Sequence, residues 1–429
     1  MEKNIRRITA REILSGTGRS TVEVDLEVES GIVVSASVPM GSSTGTYEAK
    51  EVRDPNENGV ATAVHNVNTI IGPALGGFNV YDQKIIDNTM IELDGTENKS
   101  RLGANAILAV SVATVKAAAA SAGMPVFRYL GGTGTHRIPI PVATVIAGGA
   151  FSPSPLPFED YCFVLSGYPA FSKALKVLVE VRNRLQENLV KTFGFLPEIG
   201  GALAPGLRTS EEAFEAMLAV IKETGNDGCI QLGLDIAASE FLSADKDSYL
   251  FGDKRFSSEE LREYYVQMVN DYPISYLEDP FEEDAFLEFL SIKELIQGVE
   301  IVGDDLFASS PARISEGCQA EGRGSSSIKA VKAPATAILI KLNQIGTVSE
   351  ALKAVKLARE VGLNIAVSVR SQETNDNFVA DFAVAVDAMF MKVGSPVRGE
   401  RNAKYNRLLR IEEELGDDFL FGSSYKANS

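Results

Sequence analysis

Histidine and cysteine are scarce in this chain of 429 residues, with two of the first and three of the second. The cysteines, Cys162, Cys229 and Cys318, form no C-x-x-C pair. Zinc draws its ligands mostly from these two residue types, so a zinc centre is not expected, whereas free buried thiols in a reducing compartment are. Positive charge is also short. The 41 Lys and Arg face 58 Asp and Glu, for a net charge of −17 and a pI near 4.8. Without a basic footprint, nucleic acid is a poor partner. Long apolar runs are missing too: no stretch approaches the roughly 18 residues of a membrane-spanning helix. The alanine-rich run near 106–122 is interrupted by Ser111, Lys116 and Ser121 and reads as a packed helix. No apolar region stands behind the charges of Met1-Glu-Lys-Asn-Ile-Arg-Arg7, so neither a signal peptide nor a membrane is expected. A cytoplasmic protein is the expectation.

Hydrophobic residues make up 45% of the chain, enough for a sizeable core. The length suits two domains, or one barrel with an added domain. Residues 1–135 have the texture of an α+β cap. Thr21-Val-Glu-Val-Asp-Leu-Glu-Val28 alternates as a half-buried strand does, and Ser30-Gly31 is a hairpin-like turn before a second strand. A small-residue loop and a run of helices from about 59 to 130 follow. Tyr129-Leu-Gly-Gly-Thr-Gly-Thr135 marks the boundary, and residues 136–429 alternate strands with helices near 171–192, 211–224, 258–270 and 348–361. The Gly/Ser/Ala-rich, basic segment 317–335 lacks the order of a phosphate loop and reads as a surface insertion or a mobile lid.

Five short apolar runs in the second region each end on a polar side chain. They are Gln231-Leu-Gly-Leu-Asp235, Ile274-Ser-Tyr-Leu-Glu278, Glu300-Ile-Val-Gly-Asp304, Ala337-Ile-Leu-Ile-Lys341 and Phe390-Met-Lys392. Runs of this length fit buried parallel strands, and a (β/α) barrel gathers its chemistry at the C-terminal ends of such strands. The groups gathered would be the carboxylates Asp235, Glu278 and Asp304 with the amines Lys341 and Lys392. Three oxygen ligands suit Mg2+, which keeps its remaining positions for water or substrate oxygens. A lysine beside such an ion can have its pKa lowered and act as a base. This pattern of a lysine base with magnesium is the general description of enolase-superfamily sites.

Longer stretches carry a specific resemblance to the enolase (phosphopyruvate hydratase) family. They include Gly41-Ser-Ser-Thr-Gly45, Gly103-Ala-Asn-Ala-Ile-Leu108, Asp235-Ile-Ala-Ala-Ser-Glu-Phe241, Glu278-Asp-Pro-Phe281, Lys341-Leu-Asn-Gln-Ile-Gly346 and Lys404-Tyr-Asn-Arg-Leu-Leu-Arg-Ile-Glu-Glu-Glu-Leu-Gly416. The resemblance implies an N-terminal α+β domain and a ββαα(βα)6 barrel. It implies magnesium at Asp235, Glu278 and Asp304, with Ser43 helping to hold a second ion. Lys341 would be the general base, Lys392 would lie near the substrate, and Arg370 with Ser371 would hold a phosphate. Arg11 with Glu413 and Glu23 with Arg410 match the family's intersubunit ion pairs, so a homodimer is expected. Asp305 is expected to support Asp304 rather than to bind the ion.

Departures from the family cluster on one side. Its S-H-A-G is Ala150-Phe151-Ser152-Pro153 here, and its V-S-H-R-S-G is Val367-Ser-Val369-Arg-Ser-Gln372, so both histidines are gone. Its Q-E-F-M is Glu159-Asp160-Tyr161-Cys162, and its G-D-E-G-G gives way to Glu198-Ile199-Gly200-Gly201. The acid that would protonate a departing hydroxide is missing or displaced to Glu198. The phosphate, metal and base residues all stand, while the leaving-group side has changed. The expectation is an Mg2+-dependent enzyme acting on a phosphorylated or phosphonylated three-carbon acid with altered chemistry. Carboxyphosphonoenolpyruvate synthase of phosphonate biosynthesis, which resembles enolase, is a precedent. The alternatives are a true phosphopyruvate hydratase using Glu198 or Asp160 as its acid, and a non-catalytic enolase-like protein. Phe151, Val369 and Glu159 are expected to contact the substrate, with simple core filling as the other reading of Phe151.

Overall fold

The computed structural model describes residues 3–41, 45–55, 59–251, 254–320 and 333–422. Ser43 and most of the 317–335 segment lie outside the described residues. The N-terminal part opens with an antiparallel sheet of β1 (Ile5–Leu14), β2 (Ser20–Val28) and β3 (Val33–Ser37). In β2 the apolar positions Val22, Val24, Leu26 and Val28 are fully buried, as its alternating pattern requires. Helix Ala104–Ala122 packs on β2 and β3. Among the described residues it alone is long and apolar enough to cross a membrane by length and composition, and 83% of its most apolar window is buried within the protein. Its small side chains let it pack within the core.

The barrel is formed by β4 (Ile140–Ala147), β5 (Asp160–Val164), β8 (Gln231–Asp235), β11 (Ile274–Glu278), β12 (Glu300–Gly303), β13 (Ala337–Ile340), β14 (Asn364–Ser368) and β15 (Phe390–Lys392). The hairpin β6 (Glu198–Ile199) and β7 (Ala202–Leu203) attaches to β4. The hairpin β9 (Tyr249–Phe251) and β10 (Lys254–Phe256) stands apart. Pairing of β15 with β4 closes the ring. Strand β5 runs antiparallel to both of its neighbours, β4 and β8, and helices Phe171–Phe193 and Ser210–Glu223 follow before β8. This is the expected ββαα(βα)6 order.

Inward-facing residues fill the barrel: Val142, Cys162, Val164, Tyr276, Val302, Leu339, Ala366 and Phe390 form one buried cluster. Gly233 makes room for it, because a Cβ there would lie 3.1 Å from Val164 Cγ2 and 3.3 Å from Tyr276 Cβ. Cys162 is therefore a packing residue of the barrel interior.

The last helix, Gly399–Leu415, is tied to the loop after β14 by a buried lysine. Lys404 Nζ donates to Glu373 Oε2 at 2.6 Å, to the Thr374 carbonyl at 2.6 Å and to the Glu400 carbonyl at 2.9 Å. Both charged side chains of this pair are almost wholly buried. Removing one partner of such a pair leaves a bare buried charge, which costs about 3–5 kcal/mol. Lys404→Met should therefore lower stability by about 3–5 kcal/mol in denaturant unfolding. An unchanged midpoint would show that the pair is not what holds this loop.

Candidate active site

Strand direction assembles the site. Asp235 ends β8 and Glu278 ends β11, and the two are register partners. Asp304 follows β12, Lys341 follows β13, and Lys392 ends β15. Because β5 runs the other way, its first residue reaches the end of the barrel where the other strands finish. Asp160 thus pairs with Asp235 in register, with Glu159 one residue beyond it. Parallel strand ends alone do not explain why these two acids join the cluster; the reversed strand does.

The acids are buried, so they need counter-charge. Lys392 Nζ supplies it to three of them: it donates to Asp235 Oδ2, lies 3.0 Å from Glu278 Oε1, and is 3.2 Å from Asp160 Oδ2. Lys341 Nζ donates to Asp304 Oδ2, whose other oxygen accepts from Gln344 Nε2 at 2.8 Å. Tyr276 OH donates to Glu278 Oε2 at 2.8 Å. Burial draws both ammonium groups down, but the adjoining carboxylates outweigh it and hold them above the ordinary lysine range. Burial, then the neighbouring Asp235 charge, pushes the Glu278 carboxyl well up. Glu159 is pushed up to about 8, by burial and then by the Asp235 and Asp160 charges.

A cavity of about 410 Å³ opens over this cluster. Glu159, Asp160, Asp235, Lys341 and Lys392 line it together with Val369, Arg370 and Ser371. Arg370 Nη1 donates to Glu48 Oε2 at 2.6 Å, so the N-terminal part holds the guanidinium in place. Gly41 allows this approach, since a Cβ there would collide with the Arg370 side chain. Phe151 also lines the cavity and is 45% exposed, which makes it a wall of the opening rather than core filling.

Glu198 is not brought to the cavity. Its carboxylate accepts from Arg182 Nη2 at 2.7 Å, on helix Phe171–Phe193. Its neighbours Ile199 and Gly200 line the cavity instead. Successive strand residues face opposite sides, so a displacement of one position turns a carboxylate away. The expectation of a displaced acid at Glu198 is corrected on this ground.

Asp279, Asp304 and Asp305 place carboxylate oxygens within 4.8 Å of one another. Asp279 carries no free cation site, because its oxygens accept from the Asp304 and Asp305 backbone N–H groups at 2.9 and 2.8 Å. It instead holds the turn that aims Asp304, with its own backbone in the left-handed region at φ 42°. The sequence offered Asp279 next to Glu278 but gave no sign of this duty. Glu48 and Gln344 were equally silent, because their partners lie far along the chain.

Over residues 5–130 the chain matches the family model for the enolase N-terminal domain, and over 135–428 the model for the enolase C-terminal TIM barrel domain. The chain belongs to the enolase family. The enolase of Methanothrix thermoacetophila is 45% identical over 423 residues, and that of Methanopyrus kandleri is 44% identical over 425, with 97% of this chain and of each relative covered. The enolase of Methanosarcina barkeri is 44% identical, with 97% of this chain and 96% of the relative covered. The chain is thus a lyase-type enzyme of the enolase superfamily.

Enolases are generally magnesium-dependent, and the donor set here fits such an ion. Asp160, Asp235, Glu278, Asp304 and Asp305 outnumber Lys341 and Lys392, and every candidate ligand is a hard oxygen. The Lys392 ammonium already stands in for a cation between Asp235 and Glu278. A ligand that binds only the folded state raises stability by about 2.7 kcal/mol at one hundred times its Kd. Magnesium should therefore raise the melting temperature of the protein, and Asp235→Asn should abolish the rise. An equal rise in the variant would remove Asp235 from the ion site.

Proposed function

We propose that the protein is an Mg2+-dependent enzyme that forms an enolate from a phosphorylated or phosphonylated three-carbon acid, with chemistry after that step differing from ordinary dehydration. Residues 1–135 would cap the site and 136–429 would form the catalytic barrel. The observation that carries this reading is the make-up of the cavity lining. Lys341 is held by Asp304, and Lys392 by Asp235 and Glu278, while Phe151, Ile199, Gly200 and Val369, none with an acidic side chain, line the same cavity.

Asp235, Glu278 and Asp304 would hold the ion, with Ser43, outside the described residues, proposed for a second. When bound, magnesium supplies positive charge against the substrate carboxylate, where negative charge gathers as the enolate forms. Lys341 takes the α proton: the C–H electron pair passes into the carboxylate as the amine becomes an ammonium. Asp304 now keeps that amine protonated, and spending the Asp304 charge on a cation releases it for the base role. Arg370 and Ser371 orient the phosphate or phosphonate. Lys392 holds positive charge where the carboxylate arrives. Asp160 and Glu159 are the carboxyls at the cavity for any later proton transfer, since Glu198 is engaged by Arg182.

A second reading, phosphopyruvate hydratase acting on 2-phosphoglycerate, is favoured by one observation: the relatives at 44 and 45% identity over nearly the whole chain are named enolase. Losing a general acid costs about 10²–10⁴ in rate. The magnesium-loaded protein should accordingly convert 2-phosphoglycerate at least about a hundredfold below a typical turnover of about 10 s⁻¹. Phosphoenolpyruvate formation at that typical rate would establish the second reading instead. A homodimer in the cytoplasm is proposed with either. Within one chain Arg11 pairs with Glu23 and Asp25, while Arg410 and Glu413 stand exposed on the last helix, available to a second copy.

A further inference from the structure

Glu48 holds Arg370, and the surrounding contacts show what holds Glu48. Its Oε1 accepts from the Gly45 backbone N–H at 3.0 Å while its Oε2 accepts from Arg370, so both carboxylate oxygens are engaged. Segment 45–48 is therefore a short turn whose placement sets the guanidinium. Just beyond it, the Ala49 N–H donates to the Gln344 carbonyl at 2.8 Å. Within it, Thr46 Oγ1 donates to Glu283 Oε1 at 2.6 Å, and Tyr47 OH donates to Asp284 Oδ1 at 2.7 Å. These two acids belong to the barrel, between β11 and helix Phe286–Leu295. Two exposed side chains of the N-terminal part thus grip the barrel immediately before the buried Glu48.

A buried arginine organises this grip. Arg313, in the first turn of helix Pro311–Gln319, is 4% exposed and engages all three of its nitrogens. Nε donates to the Leu306 carbonyl at 3.2 Å and Nη1 to Glu316 Oε2 at 2.9 Å. Nη2 donates to the Glu283 carbonyl and lies 3.1 Å from Asp284 Oδ1, the oxygen that accepts from Tyr47. With its nitrogens committed, the guanidinium is fixed as a flat plate. Its Cζ lies 3.9 Å from the centre of the Tyr47 ring and 4.6 Å from that of Phe286. Arginine stacks on aromatic faces through its planar ion, and the attraction grows as the cation is desolvated. Neither Tyr47 nor Arg313 is among the residues that line the cavity. Their effect on it passes through the chain, from the ring to Glu48 and from Glu48 to Arg370.

We infer that Tyr47 and Arg313 are positioning residues for the phosphate or phosphonate of the substrate. The Tyr47 ring seated on the Arg313 guanidinium sets where Glu48 stands, and Glu48 sets the guanidinium of Arg370. The inference rests on the reading of Arg370 as the phosphate contact, and it concerns binding rather than the reaction that follows.

Calorimetric titration of the magnesium-loaded protein with phosphoenolpyruvate tests this. Tyr47 is 42% exposed, so its replacement leaves the core intact. Tyr47→Leu should weaken phosphoenolpyruvate binding by about tenfold, the scale of a partly desolvated cation–π contact. Tyr47→Phe keeps the ring on the guanidinium and should bind within about threefold of the parent, since one half-exposed hydrogen bond contributes little. Arg313→Lys, which loses the planar face, should resemble Tyr47→Leu. In an Arg370→Lys background the Tyr47→Leu change should cost less than about twofold, because residues that act through one another are not additive. Magnesium affinity without phosphoenolpyruvate should stay within about twofold in Tyr47→Leu, as separate sites do not couple. A merely structural loosening would lower both affinities and would persist in the Arg370→Lys background. Unchanged phosphoenolpyruvate affinity in Tyr47→Leu, an equal loss in Tyr47→Phe, or either sign of general loosening would overturn the positioning role. Full affinity in Arg370→Lys would overturn Arg370 as the phosphate contact, and the inference falls with that reading.

Discussion

Buried carboxylates crowded at one end of a barrel are the constraint around which the rest of the molecule is arranged. Asp235 and Glu278 share a register and a single ammonium, and Asp160 is drawn to the same Nζ from the opposite strand direction. Leaving these charges unpaired in the interior would cost several kcal/mol each. The two lysines prevent that. Lys341 and Lys392 thus have a structural duty beside the chemical one proposed for them.

Other buried ion pairs then position the walls. Glu48 reaches from the N-terminal part to Arg370, and Lys404 ties the last helix to Glu373, three residues after Arg370. The segment Arg370-Ser371 is held from both sides as a result. Holding groups on rigid elements is what lets a site stabilise charge without reorganising during reaction. The rest of the cavity lining is built differently, from an exposed phenylalanine, the Ile199-Gly200 turn and a valine.

Much of this is legible in the sequence alone. The strand ends are readable because, in an alternating β/α chain, a short apolar run that stops on a charged residue marks a buried strand reaching the polar mouth of a barrel. The helices are readable from period and length. Matching motifs give the ββαα order, which no local pattern reveals, and the strand pairing agrees with it. What stays hidden is the consequence of the reversed β5, which carries Asp160 and Glu159 to the strand-end side. Hidden too are interactions between residues far apart in sequence, such as Glu48 with Arg370 and Gln344 with Asp304. Glu198 fails for a local reason. Its chemistry and position are nearly right, and a period of two turns it towards Arg182.

The central claim is that enolate formation and the step after it have been uncoupled in this chain. Incubating the magnesium-loaded protein with 2-phosphoglycerate in deuterated water measures both in one sample, by following deuterium at C2 of recovered substrate and the appearance of phosphoenolpyruvate. Exchange should outrun dehydration by about a hundredfold or more, the share that a missing general acid removes. Dehydration that keeps pace with exchange, or a recovered substrate with no deuterium at all, would contradict it.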